Sequence, residues 1–193
     1  MALIPVQYNM SREFNFIYIA PPRTATRTIA GFFKENYPMM RQEGRQRLPS
    51  YSHEFNIPVD LLKSCTIICS IRNPFSRIAS LYSHHSGITK WRGTPFPGQV
   101  PNLYSFSLWK FIKPIFEHVD HFIHLETLDE DIRKLPFVQD SKLALPNKFA
   151  SNHPGQGWKK YYEDNPEAES LVLKLLGTDE FTKLGYSMRV QDA

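Results

Sequence analysis

Cys65-Thr66-Ile67-Ile68-Cys69-Ser70-Ile71-Arg72-Asn73-Pro74-Phe75-Ser76-Arg77-Ile78-Ala79-Ser80 is the stretch whose reading decides the fold. The apolar run at 67–71 reads as a strand buried on both faces, as parallel sheets require. Asn73-Pro74 breaks it, and Pro74 suits the first helical position, where a missing N–H costs nothing. Phe75, Ile78, Ala79 and Tyr82 then recur at helical spacing and give one apolar stripe. Arg72 is thereby placed at the carboxyl end of a central strand, where open α/β sheets bind ligands. Arg77 and the Ser80 hydroxyl follow on the next helix. That set suits an anion, a phosphate above all.

Outward from there, residues 14–20 (FNFIYIA) read as a first strand ended by Pro21-Pro22, and residues 28–36 as a helix with Ile29, Phe32 and Phe33 inward. Residues 39–50 form a polar, Arg-rich loop, a short strand follows at 51–55, and residues 58–63 form a short helix. Residues 87–102, with three prolines, three glycines and Trp91, read as a long loop or lid. Residues 106–119 have helical spacing with an expected kink at Pro114. A strand at 121–125 (HFIHL) precedes Thr127-Leu128-Asp129-Glu130, which matches a capping box opening a helix through Leu135. Asn165-Pro166 opens a last helix ending near Gly177. This alternation predicts an α/β fold: a single domain over 1–193, core about 14–187, with a mostly parallel central sheet flanked by helices on both faces.

The 193 residues suffice to bury roughly 70% of the unfolded surface. Hydrophobic content of 41% with 13% aromatics is ordinary globular composition. A net charge of +4 favours an anionic ligand but is too weak to argue for nucleic acid. Residues 1–13 hold no secretory leader pattern, and no apolar run approaches the roughly 20 residues of a membrane span. Cytoplasmic localisation is the expectation. Cys65 and Cys69 point to one strand face, too far apart to bridge, and read as buried free thiols.

A second candidate site follows the first strand: Pro22-Arg23-Thr24-Ala25-Thr26-Arg27-Thr28. A strand, a tight loop of small and hydroxylated residues, then a helix is the layout of a phosphate cradle, with backbone N–H groups and the helix dipole facing the anion. Arg23 and Arg27 add charge; Thr24, Thr26 and Thr28 add hydroxyls. The Walker pattern of glycines with a lysine is absent.

Together these residues make the chain resemble sulfotransferases that use 3′-phosphoadenosine 5′-phosphosulfate (PAPS), of the carbohydrate sulfotransferase type. Their Pro-Lys-Thr-(Gly/Ala)-(Ser/Thr)-Thr loop is similar to residues 22–28. Their Arg-(Asn/Asp)-Pro-(Phe/Tyr)-x-Arg-x-x-Ser motif is matched by residues 72–80 at every fixed position. Residues 122–128 resemble the family's later strand and Glu-x-Leu turn, and residues 161–187 its terminal helix and Phe-Gly-Tyr ending. The resemblance implies a P-loop NTPase-like sulfotransferase fold and transfer of a sulfuryl group from PAPS to a hydroxyl or amine, releasing 3′,5′-ADP (PAP). Residues 23–28 would hold the 5′-phosphosulfate, Arg23 taking part in catalysis; Arg72 and Ser80 would grip the 3′-phosphate. Lys159 or Lys160, in a basic stretch before the last helix, would reach that phosphate too. Three positions depart from the family: Arg23 replaces its lysine, Ala25 its usual glycine, and Arg27 a small residue.

His53 is the expected general base, with Glu54 beside it as the alternative or the orienting group. His118, His121 and His124 straddle a helix-to-strand boundary, and no metal is expected. Trp91, Phe96, Tyr104, Phe106 and Trp109 read mainly as core and lid, with an acceptor or adenine pocket as the other role. The partner implied is a small-molecule or carbohydrate acceptor, met by loops 38–50 and 87–105. Two other readings stay open: a P-loop-related small-molecule kinase, and a catalytically inactive nucleotide- or anion-binding module of the same fold.

Overall fold

The computed structural model describes residues 3–5, 8–11, 13–37, 40–41, 56–88, 95–103, 107–138 and 157–192. In chain order, β1 (Leu3–Pro5), β2 (Tyr8–Ser11), β3 (Phe16–Ile19), α1 (Thr26–Asn36), β4 (Met40–Arg41), β5 (Asn56–Pro58) and α2 (Val59–Ser64) lead to β6 (Thr66–Ile71). Then come α3 (Pro74–Ile88), α4 (Phe96–Leu103), α5 (Leu108–Ile112), a 3-10 helix Lys113–His118, β7 (His121–His124) and α6 (Leu128–Arg133). The described chain closes with α7 (Lys160–Glu163), α8 (Glu167–Leu176), α9 (Asp179–Thr182) and a 3-10 helix Val190–Asp192. These elements fall into two compact units, Met1–Ile71 with Phe111–Phe149, and Arg72–Lys110 with Ala150–Ala193.

The first unit is built on a mixed sheet of order β4-β2-β3-β6-β7. β3, β6 and β7 are parallel, with Ile19 opposite Cys69 and Ile71 opposite His124. Their runs are apolar because both faces are covered: Phe16, Tyr18, Ile68 and Ile123 pack under α1, while Ile17, Ile19, Ile67 and Cys69 on the other face are equally buried. Ile29, Phe32 and Phe33 of α1 are fully buried, as the helical spacing predicts. Phe137 stacks on Phe16 at 4.5 Å. Both cysteines are buried free thiols.

The parallel core is as expected, but its edge is not. β2 runs antiparallel to β3, and β4 extends that edge at Met40–Arg41, inside the expected loop. The β2–β3 turn closes at Asn15, whose φ of 51° is a left-handed conformation that asparagine tolerates. Asn15 also binds the Ser64 carbonyl through Nδ2 at 2.6 Å and accepts the Cys65 thiol at 3.3 Å. β1 pairs with β5 in a separate two-stranded ribbon.

The capping box at Thr127 does not form. The Thr127 hydroxyl donates instead to the Asp131 carboxylate at 3.0 Å, together with the His124 backbone N–H, His124 Nδ1 and Lys134 Nζ. Burial works against ionisation there, yet the His124, Lys134 and Thr127 bonds outweigh it and hold the Asp131 carboxyl at about 2. A folded value below the unfolded one, about 3.9, stabilises the protein above pH 4 and is lost as pH falls towards 2. Asp131→Asn is therefore expected to lower the urea midpoint at pH 7, and the gap to the parent chain should shrink steadily between pH 5 and pH 3. A gap that is constant with pH would count against this network.

In the second unit, α3 starts at Pro74 as expected. It runs to Ile88, and α4 occupies Phe96–Leu103, so residues 87–88 and 96–102 of the expected 87–102 loop are helical despite Pro101. Phe96 and Val100 bury against Phe75, Tyr82, Tyr161 and Tyr162, and that packing overrides the poor helix propensity. Pro114 does not merely kink a long helix; α5 ends at Ile112 and a 3-10 helix takes over with proline near its start. Glu180 is fully buried, and its carboxylate accepts from the Ser107 hydroxyl and the N–H groups of Leu108 (2.7 Å) and Trp109 (2.9 Å). It thereby satisfies the orphan donors at the start of α5.

Candidate functional site

The carboxyl ends of β3 and β6 are neighbours at one edge of the sheet. Each runs into a short turn and then a helix: β3 through residues 20–25 into α1, β6 through Arg72 and Asn73 into α3. These two turns hold the residues expected from the sequence to bind an anion.

In the first turn, Arg23 (φ 68°) and Ala25 (φ 58°) are both left-handed. Non-glycine residues pay about 1–2 kcal/mol for that conformation, and such strain gathers at binding sites. Ala25 is the N-cap of α1 and carries no oxygen to bond the first-turn N–H groups of Thr26, Arg27 and Thr28. No acidic residue lies in that first turn. Burial, and after it the charge of Arg27, lower the half-buried Arg23 guanidinium from the usual arginine range, although it stays charged. Cations at the positive end of a helix dipole repel it, and an anion relieves both.

The threonines divide the work. Thr24 is wholly buried; its hydroxyl donates to the Pro21 carbonyl at 2.7 Å, and the Thr26 hydroxyl donates to the same oxygen at 2.8 Å. Their side chains brace the loop, and what they offer an anion is backbone N–H. Thr28 is half-buried in the first turn and Arg27 is exposed.

Ala25 occupies a conformation that glycine adopts freely. Ala25→Gly is expected to stabilise the chain by about 0.5–1 kcal/mol, the relief of left-handed strain less the added entropy of the unfolded chain. Urea unfolding measures it, and a net loss of stability would argue against strain at this position.

In the second turn, Asn73 Oδ1 accepts from the N–H groups of Phe75 (2.9 Å) and Ser76 (3.2 Å), so Asn73 caps α3 while Pro74 opens it. Arg72 Nε donates to Ser76 Oγ at 2.8 Å, and that hydroxyl donates to the Asn73 carbonyl at 3.1 Å. Ser76 was not among the expected site residues, yet it fixes the plane of the half-buried Arg72 guanidinium. Ser80 lies one helical turn beyond Ser76 on the same face and is half-buried. Arg77 differs: at 2% exposure it is enclosed in the protein, away from any ligand arriving from solvent.

Lys159 donates from Nζ to the Gln191 carbonyl at 3.4 Å and lies 5.6 Å over the Trp158 ring. His53 and Glu54 lie outside the described residues, as does the strand expected at 51–55. Among the described residues no group of three or more His, Cys, Asp or Glu converges on a metal position, and no helix is long and apolar enough to cross a membrane. No family model matches the chain, and no curated protein or solved structure is significantly similar to it.

Proposed function

We propose that the chain is a sulfotransferase that moves a sulfuryl group from PAPS to an acceptor hydroxyl or amine. The observation that carries this reading is the pair of cationic strand-to-helix turns at the adjacent carboxyl ends of parallel strands β3 and β6. The first is assigned the 5′-phosphosulfate, through Arg23 and the N–H groups opening α1. The second is assigned the 3′-phosphate, through Arg72 and Ser80.

In the transfer, the acceptor oxygen bonds to sulfur, the bond from sulfur to the bridging oxygen breaks, and 3′,5′-ADP departs with the electron pair. The acceptor proton passes to a base, assigned to His53 or Glu54. Charge grows on the departing oxygen, so a fixed guanidinium and N–H groups there favour the transition state over the ground state. Arg23 acts as charge and forked donor, not as proton donor, since arginine holds its proton.

Competition separates this reading from a kinase. In a displacement titration against a fluorescent adenosine bisphosphate, unlabelled 3′,5′-ADP is expected to compete at least about tenfold better than Mg·ATP, the worth of one charged hydrogen bond. Preference for Mg·ATP would overturn the assignment in favour of phosphoryl transfer.

A further inference from the structure

Beneath the first turn lies a line of buried hydroxyls: Tyr18 Oη to Ser70 Oγ at 2.9 Å, Ser70 Oγ to Thr24 Oγ1 at 2.7 Å, and Thr24 Oγ1 to the Pro21 carbonyl at 2.7 Å. Its direction follows from proton counting. A carbonyl only accepts, so the single Thr24 proton goes to Pro21. Ser70 must then donate to Thr24, and Tyr18 to Ser70. Burial raises the Tyr18 hydroxyl well above the usual tyrosine range, so it keeps the proton it donates. All three side chains are at 0% exposure, and each hydroxyl is bonded.

From this we infer that Tyr18, Ser70 and Thr24 are positioning residues: they form a one-way relay, anchored on two neighbouring strands, that holds the first turn with Arg23 and Ala25 left-handed before any anion arrives. The inference rests on the proposed reading of that turn as the phosphosulfate site. The physical need is plain, because two non-glycine residues in a strained conformation relax unless their surroundings over-determine them. Glycine would hold such a turn without help; this chain spends a buried hydroxyl chain on it. A site set in advance loses less affinity to ordering the loop on binding.

Two readouts test it. The Ile29 N–H bonds the Ala25 carbonyl at 3.0 Å and reports, without ligand, whether the turn keeps its place. Thr24→Val keeps the shape and removes the hydroxyl. It is expected to speed Ile29 amide exchange and to weaken 3′,5′-ADP binding, each about tenfold, the worth of one well-formed buried hydrogen bond. Thr24→Ser should restore both. Adding Ala25→Gly to Thr24→Val should recover affinity, because glycine adopts the left-handed backbone without the relay. Tyr18→Phe removes one terminal oxygen and carries the same test if Thr24→Val fails to fold. Unchanged Ile29 exchange in both variants overturns the relay. Responsive exchange in a parent chain that binds no 3′,5′-ADP supports the relay and overturns the sulfotransferase reading.

Discussion

Arg72→Ala is expected to weaken binding of 3′,5′-ADP by about tenfold to a hundredfold while changing 5′-AMP affinity by less than about threefold. Charge-assisted hydrogen bonds are worth about 1.5–3 kcal/mol, and arginine reaches a phosphate with two of them when its plane is held. Here Ser76 holds that plane through Nε at 2.8 Å. The selectivity between the two nucleotides is the informative quantity, because a general loss of folding would weaken both alike. Ser76→Ala leaves the guanidinium in place without its anchor and should give a smaller loss of the same kind. Equal losses for 3′,5′-ADP and 5′-AMP would move the 3′-phosphate away from Arg72.

The largest effect on stability is expected at Glu180. Its carboxylate is wholly enclosed and accepts from the Ser107 hydroxyl and the N–H groups of Leu108 and Trp109. Glu180→Ala strands those donors where water cannot replace the acceptor, at about 1–3 kcal/mol each. About 3 kcal/mol in total is a conservative expectation, or a fall in Tm of roughly 6–12 °C for a chain of this size. Glu180→Gln keeps one acceptor but turns an NH2 towards donors, and should fall between. A change below about 1 kcal/mol for Glu180→Ala would show that water replaces the carboxylate.

What the sequence discloses tracks the range of the interactions. The β6–α3 turn is legible almost to the residue, because a β-branched run, a capping asparagine and a proline at the first helical position are all local signals. The first turn is legible as strand, loop and helix, although α1 starts at Thr26, two residues before the expected start, with Ala25 as a left-handed cap. Its strain leaves no mark in the residue types, since neither Arg23 nor Ala25 favours a left-handed backbone. β1 and β2 are not legible: three- and four-residue strands owe their pairing to β5 and β3, and the β1 partner lies more than fifty residues away, as Leu3 opposite Pro58.

The same holds for side chains with structural duties. No local signal in Asp179-Glu180-Phe181-Thr182 marks Glu180 as buried; its contact with Ser107, 73 residues away, makes it a cap. Ser70 reads as one small polar residue in an apolar strand; alternation places it beside Tyr18, but only the tertiary structure sets it under Thr24. Ser76 fills an unspecified position of the motif, and its bond to Arg72, which precedes the helix, follows from the way the β6–α3 turn folds back over the first turn of α3.

The most direct test is an equilibrium titration of the intact chain with 3′,5′-ADP in the absence of divalent metal, repeated with Arg23→Asn and Arg72→Ala. Asparagine tolerates the left-handed backbone at position 23, so that variant removes charge without adding strain. One saturable site is expected, weakened at least about tenfold by either substitution. No saturable binding, or binding that neither substitution weakens, would contradict the account.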